Sequence, residues 1–132
     1  MERDPNVEKF GRDVVARARD KALQMFDAAL ARSAIGVGAL RPYADSLHVL
    51  TPDQRHLARI CVRVCVDQAI AELLGHLDEA EALDGLSLTM NGVDVVLKSD
   101  GLSASLHGRR GWFKLYSEFG DIDDLPAVPA PP

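Results

Sequence analysis

The residue types best suited to recognition lie together in one predicted strand and in the loop before it. By strand alternation, Trp112, Lys114 and Tyr116 share one face, next to Arg109 and Arg110 in the loop. Exposed tryptophan, tyrosine and arginine side chains are typical of the residues that dominate protein–protein binding energy. The sequence therefore predicts a protein-binding surface here. Two alternatives stay open: the rings pack beneath the loop while the lysine reaches solvent, or they stack on nucleic-acid bases or another anion.

A second set of polar side chains follows the second predicted helix. Arg55, Arg59 and Arg63 repeat every four residues, so their guanidinium groups form a row along one side of the helix. Such a row can bind carboxylates or phosphates, whereas the alternative is a solvated stripe paired with acidic residues of the same chain. Glu72 and His76, also four residues apart, add polar groups farther along. These residues suggest a second-choice pocket, between this helix and the predicted sheet, for a small molecule or a metal.

Recognisable motifs for catalysis, nucleotide binding and metal binding are missing from the sequence. There is no G-x-S-x-G nucleophile turn, no P-loop and no G-x-G-x-x-G pattern. Cys61 and Cys65 are four residues apart on the helix, a spacing that suits neither a disulfide nor a C-x2-C zinc site. Cys61 would line the second-choice pocket as a thiol. The sequence thus predicts no catalytic residue, no metal and no cofactor, and an enzyme only under the alternative hypothesis of that pocket.

The charge balance limits the partners of the chain. Its 132 residues carry a net charge of −5, which disfavours a general nucleic-acid binder because such proteins neutralise phosphates. Residues 1–66 hold 11 basic and 8 acidic side chains, whereas residues 67–132 hold 4 basic and 12 acidic ones. No apolar run is long enough for a membrane span, and the charged start has no signal-peptide core. We therefore expect a cytoplasmic protein with reduced cysteines that does not bind a membrane and for which nucleic acid is a disfavoured partner.

Two long helices are predicted to support these residues. The first covers residues 5–32, with Asp4 as its N-cap and a proline in its first turn. The second begins at Thr51 and runs to about Leu83. Its apolar residues fall on two opposite faces, one with Leu57, Ile60, Cys61 and Val64 and the other with Val62, Val66, Ala69, Leu73 and Leu77. Such a helix is expected in the middle of the fold, and a second copy of the chain would cover any apolar face that the sheet leaves open.

After Gly85 the apolar period changes from 3.6 to 2, which predicts strands. Alternating runs flank Asn91 and Gly92, the strongest short-range signal for a hairpin turn, and two further predicted strands follow. The expected fold class is α+β: two long antiparallel helices followed by a four-stranded antiparallel β-meander packed on the central second helix. This single domain would span residues 1–125, before a proline-rich disordered tail at residues 126–132.

These features predict a small acidic protein without catalytic activity whose role is to bind another protein. In general character it is similar to immunity proteins, chaperones and regulatory proteins, an analogy of class that assigns no particular function. A homodimer is the expected assembly. The alternative is a small-molecule or metal-binding protein, or an enzyme, that uses the pocket between the second helix and the sheet.

Overall fold

The computed structural model describes residues 3–33 and 35–125, so the tail predicted at residues 126–132 lies outside the described residues. The first helical rod begins after Asp4, whose carboxylate accepts a hydrogen bond from the Asn6 amide at 2.8 Å. This confirms the predicted N-cap. The rod consists of α1 (Pro5–Val14), a π-helical segment (Val15–Asp20) and α2 (Lys21–Leu30).

The longest helix also begins where the sequence indicates. The Thr51 hydroxyl accepts a hydrogen bond from the Gln54 amide at 3.2 Å, and the Gln54 side chain accepts one from the Thr51 amide at 2.9 Å. This capping box satisfies two amides that the first turn leaves without helical partners. The elements after the rod are a 3-10 segment (Gly38–Tyr43), α3 (Ala44–His48), α4 (Pro52–Leu83), β1 (Thr89–Met90), β2 (Val93–Asp94), α5 (Val95–Lys98), a 3-10 turn (Ser103–Ser105), α6 (Trp112–Tyr116) and a last 3-10 turn (Ile122–Asp124).

The predicted hairpin turn is confirmed, but the four-stranded meander is wrong. β1 and β2 pair antiparallel around Asn91 and Gly92, whose φ angles of +52° and +78° are the positive values that this turn requires. β2 then ends at once, because the Asp94 carboxylate accepts a hydrogen bond from the Leu97 amide and caps α5. These two strands form the only sheet among the described residues.

The third and fourth predicted strands are helical turns. The Asp78 carboxylate of α4 accepts hydrogen bonds from the Leu102 and Ser103 amides at 2.9 and 3.1 Å, which fixes the 3-10 turn beside α4. Gly111 lets the chain fold back tightly before α6, because a Cβ there would overlap the backbone of His107. The protein is therefore mostly helical, and the expected α+β class is wrong.

The core lies between α1, α4 and the short helices α5 and α6. Its largest side chain is Trp112, which is fully buried and meets the Phe10 ring edge to face at 6.3 Å between centroids. Gly11 makes this packing possible, because a Cβ there would overlap the indole. The other buried members of the core are Val7, Val15, Ile70, Leu74, Val95, Leu102, Leu106 and Phe113.

α4 is not the fully enclosed central helix that its two apolar faces predict. Leu57 and Val64, on one flank of its buried stripe, are 47% and 49% exposed, and Leu73, on the other flank, is 60% exposed. No meander exists to cover them, because the segments expected to form it pack on the inner side of α4 instead. The buried stripe itself contains two charged residues and is made of Arg63, Asp67, Ile70, Leu74 and Ala80.

Candidate functional site

The predicted exposed aromatic face does not form. Residues 112–116 are helical, so Trp112 and Lys114 point in different directions instead of sharing one side of a strand. Trp112 is fully buried, and its Nε1 has no hydrogen-bond partner among the described residues. Lys114 is exposed and lies 3.4 Å from the Asp124 carboxylate. The expectation that Trp112 binds a partner directly is therefore wrong, and it serves as a core residue.

Tyr116 and the two loop arginines do remain at the surface, and Tyr116 and Arg110 border a groove between α1 and α6. The Tyr116 hydroxyl donates a hydrogen bond to the Glu8 carboxylate, and Arg3 pairs with the same carboxylate at 3.0 Å. The Arg12 guanidinium lies 5.4 Å from the centroid of the tyrosine ring. Burial of the phenol, followed by its hydrogen bond to Glu8, raises the pKa of Tyr116 above its ordinary value.

The groove has a volume of about 250 Å³ and is lined by Arg3, Glu8, Arg110, Leu115 and Tyr116. Leu115 is 53% exposed, which leaves an apolar side chain open beside cationic groups. The side chains of Arg109 and Arg110 are exposed and form no salt bridge among the described residues. We call the set of Arg3, Arg12, Arg109, Arg110, Leu115 and Tyr116 the α1/α6 surface.

The predicted arginine row on α4 does not act as one clamp. Arg55 donates hydrogen bonds to the carbonyl oxygens of His48 and Leu50, and so holds the chain before α4. Arg59 and Arg63, in contrast, line a common cavity between α2, α4 and the carboxyl-terminal turn. The structure therefore brings together two of the three arginines, on a different side of the fold from the one expected.

The other members of the second-choice pocket are not near that cavity. Glu72 is exposed and accepts a hydrogen bond from the Gln68 side chain at 2.7 Å, while His76 is exposed on the same side of α4. Cys61 is an exposed free thiol. The predicted pocket between α4 and a four-stranded sheet does not form, because the described residues contain only the two-stranded sheet of β1 and β2. Within residues 3–33 and 35–125, no three His, Cys, Asp or Glu side chains are grouped to hold a metal.

A buried charge network was missed by the sequence analysis. Arg19 is completely buried and pairs with both carboxylate oxygens of Asp67, at 2.6 and 3.1 Å. It also donates hydrogen bonds to the Ser117 hydroxyl and the Gly120 carbonyl, at 3.0 and 2.5 Å. The guanidinium stacks 4.0 Å from the centroid of the Phe113 ring. Arg19 thus joins the rod, α4 and the carboxyl-terminal segment.

The π-helical segment explains why this network could not be anticipated. Regular α-helical spacing places Ala18 on the apolar stripe of the rod. In the structure Ala18 is exposed, while Val15, Arg19 and Asp20 are buried. The wider turn changes the phase of the helix, and the sequence contains no residue pattern that specifies such a segment.

A histidine–aspartate pair was also missed. His107 Nδ1 lies 3.0 Å from a carboxylate oxygen of Asp121, which is buried, and His107 Nε2 has no hydrogen bond within the described part of the chain. A carboxylate in this position fixes the orientation of an imidazole ring. The pair links the loop before α6 to the turn after it. Residues 14 positions apart in loops give no periodic signal, so sequence spacing could not reveal it.

Comparisons with known protein families, with curated proteins and with solved structures found no match to this chain. Among the described residues, no helix has an apolar stretch of the length that crossing a lipid bilayer requires.

Proposed function

We propose that the protein is a non-catalytic interaction module that binds an acidic partner protein through the α1/α6 surface. The observation that carries the proposal is the exposed Leu115 beside Arg110, at the rim of an open groove. An apolar contact surrounded by cationic and aromatic side chains is typical of protein-binding sites. A cytoplasmic location belongs to the same proposal, and the two exposed free thiols suit a reducing compartment.

The charges favour an acidic protein surface over nucleic acid as the partner. Arg109 and Arg110 have no carboxylate partner among the described residues, so both can pair with a bound protein without losing an internal salt bridge. Glu8 also lines the groove, so the few cations there suit a local group of carboxylates on a protein better than a backbone that carries a phosphate at every nucleotide. The overall charge of −5 opposes an extended polyanion more than a partner with one acidic patch.

Site-specific photo-crosslinking in the native cell tests this proposal. A photoreactive amino acid in place of Leu115 should form a covalent adduct with a protein partner. The double change Arg109→Glu and Arg110→Glu should abolish the adduct, because both cations become like charges facing an acidic surface. Arg17→Glu, on the exposed side of the π-helical segment, is the matched charge control and should keep it.

Leu97 of α5 provides the control for the crosslinking position, because it is 73% exposed and lies outside the α1/α6 surface. If the same adducts form from position 97, or if the adduct from position 115 survives the double arginine change, this surface does not bind the partner.

We further infer that the exposed apolar side of α4 pairs two copies of the chain. Leu57, Cys61 and Val64 follow one another at helical spacing on that side, and all three are exposed. A two-fold axis would place this side of α4 against itself.

Sedimentation velocity measures this assembly. The unmodified chain should sediment as a dimer at micromolar concentration, and Val64→Glu should give a folded monomer because a carboxylate would be buried in the interface. Leu97→Glu is the control and should remain dimeric. A monomeric unmodified chain would contradict the dimer without bearing on the α1/α6 surface.

A further inference from the structure

A cavity between α2, α4 and the carboxyl-terminal turn has the composition of a small-molecule site. Its volume is about 140 Å³, close to the size of cavity that holds benzene in other proteins. Most of its wall is apolar, and its cations are two arginines of α4, one turn apart. The lining residues are Leu23, Phe26, Asp27, Arg59, Arg63, Phe119 and Leu125.

Arg63 is the unusual member of this wall. Its side chain is buried, with the residue only 6% exposed, yet it forms no salt bridge with any carboxylate of the described residues. Its Nη2 donates to the carbonyl oxygens of Phe119 and Gly120, at 2.5 and 3.1 Å, while its Nε is buried without a partner. A buried cation is costly unless an anion and a full set of acceptors compensate it. One N–H group of the Arg63 guanidinium therefore has no acceptor among the described residues.

The electrostatic environment of Arg63 also indicates a buried cation without a compensating anion. Burial, followed by repulsion from the Arg19 guanidinium, lowers the pKa of Arg63 below its ordinary value, and more distant carboxylates only partly offset this. The nearest cation in the network, Arg19, is already paired with Asp67. An anion entering the cavity would consequently be attracted mainly by Arg63 and Arg59.

Arg59 is placed to complete the anion site. Its Nε lies 3.1 Å from the Asp27 carboxylate, and both side chains are about half exposed, at 42% and 44%. A half-exposed ion pair is weak, so Arg59 can turn towards a second carboxylate at little cost. Asp27 also lines the cavity, and its negative charge disfavours a doubly charged ligand such as a phosphate monoester.

We propose that this cavity binds a small monocarboxylate with an apolar body of about the size of a benzene ring. The carboxylate accepts hydrogen bonds from Arg63 and Arg59, because guanidinium groups match the planar geometry of carboxylates. The apolar body packs against Leu23, Phe26 and Phe119. This site is separate from the α1/α6 surface and does not depend on the proposed protein partner.

The test is a titration of the 15N-labelled full chain with benzoate, followed by NMR of backbone amides and of arginine Nε–H groups. A ligand of this size should bind with a dissociation constant on the order of 1 mM. We expect saturable shifts at the Arg63 Nε–H and at the amides of Phe26 and Phe119. Benzamide, which has the same shape without the charge, should bind about tenfold more weakly, as should inorganic phosphate.

Variants then separate the cavity from general anion binding. Arg59→Met keeps the apolar stem and should raise the dissociation constant for benzoate about tenfold through loss of a charged hydrogen bond. Arg55→Met, one turn away and outside the cavity, should leave it unchanged. Arg63→Met is less informative, because Arg63 also holds the carbonyl oxygens of Phe119 and Gly120.

Three results would overturn the proposal. They are the absence of saturation, equal binding of benzoate and benzamide, and shifts centred on Arg109 and Arg110 in place of the cavity. The first two would exclude a carboxylate site, and the third would show ordinary attraction of anions to exposed arginines. None of these results bears on crosslinking from position 115.

Discussion

Gly11 packs directly against Trp112 in the core. Glycine has only a hydrogen atom where alanine would place a methyl group, and the indole ring fills that space. On helix propensity alone, glycine within α1 is unfavourable relative to alanine. The indole of Trp112 reverses this preference, because a Cβ at position 11 would overlap its ring atoms. A residue that weakens its own helix is thus required by the packing of a distant one.

Gly11→Ala should destabilise the protein by about 2 kcal/mol, because overpacking of the indole exceeds the gain in helix propensity. Urea denaturation followed by circular dichroism measures the change. Gly75→Ala is the matched control: this glycine lies within α4, and a Cβ there would have no neighbouring atom within 4 Å. It should stabilise the protein by about 0.5 kcal/mol. Equal effects of the two variants would contradict the proposed role of Trp112.

Ionisation of the Tyr116 phenol affects the stability of the fold at alkaline pH. The folded protein raises the pKa of this phenol above its ordinary value of about 10. The unfolded chain therefore releases the proton first, so the free energy of unfolding should fall as the pH rises above about 10. Tyr116→Phe should make this fall shallower, as measured by urea unfolding at a series of pH values.

Tyr43→Phe is the control for this titration, because Tyr43 is exposed and is the only other tyrosine. It should keep the slope of the unmodified protein. If Tyr116→Phe shows the same alkaline slope as Tyr43→Phe, burial and the contact with Glu8 do not hold the phenol in its neutral form.

For single residues, the sequence indicates which side chains could bind a ligand or partner better than it indicates which of them are exposed. Arg109, Arg110 and Tyr116 lie at the surface as the alternation suggests, whereas Trp112 does not. Its burial depends on Gly11, about a hundred residues earlier, and no local pattern connects the two. For the same reason Arg59 and Arg63 could be recognised as a possible anion site, but their apolar neighbours from α2 and the carboxyl-terminal turn could not.

Among the elements, the contact between the rod and α4 depends on a buried ion pair. Among the described residues, Asp67 is the only carboxylate that pairs with the fully buried Arg19. Asp67→Asn should lower the free energy of unfolding by about 3 kcal/mol, because it leaves a buried cation without its anion. Asp13→Asn, which removes the exposed pair with Lys9, should leave the stability unchanged. Chemical denaturation of both variants makes the comparison, and similar losses would show that the buried pair has no special role.

Helix starts were predictable because their signals are local. Asp4 and Thr51 each accept a hydrogen bond from an amide within three residues, and both caps form as the sequence indicates. The strands were not predictable, because short alternating apolar runs also suit single helical turns. Two carboxylates that are not part of the apolar alternation favour helical turns over strands here. Asp94 caps α5, and Asp78 of α4 accepts hydrogen bonds from the amides of the next turn.

For the molecule as a whole, the segment after α6 completes the core. Ser117 and the carbonyl oxygens of Phe119 and Gly120 accept hydrogen bonds from Arg19 and Arg63. A chain that ends at Tyr116 leaves both guanidinium groups with unmet hydrogen bonds in the interior, so it should fail to show cooperative thermal unfolding. A chain that ends at Leu125 keeps all the contacts described above and should unfold cooperatively. Cooperative melting of the shorter chain would contradict the role given to this segment.

The same arrangement sets an order of events during synthesis. The two long helices leave the ribosome before residues 117–121 do, and until those residues emerge Arg19 and Arg63 have only water and Asp67 as partners. The nascent chain therefore stays loosely folded until residues 117–121 have emerged, and each polypeptide is exposed to proteases and chaperones for that interval. Slowing the ribosome over the codons that follow residue 83 would lengthen the period during which this protein is vulnerable to degradation.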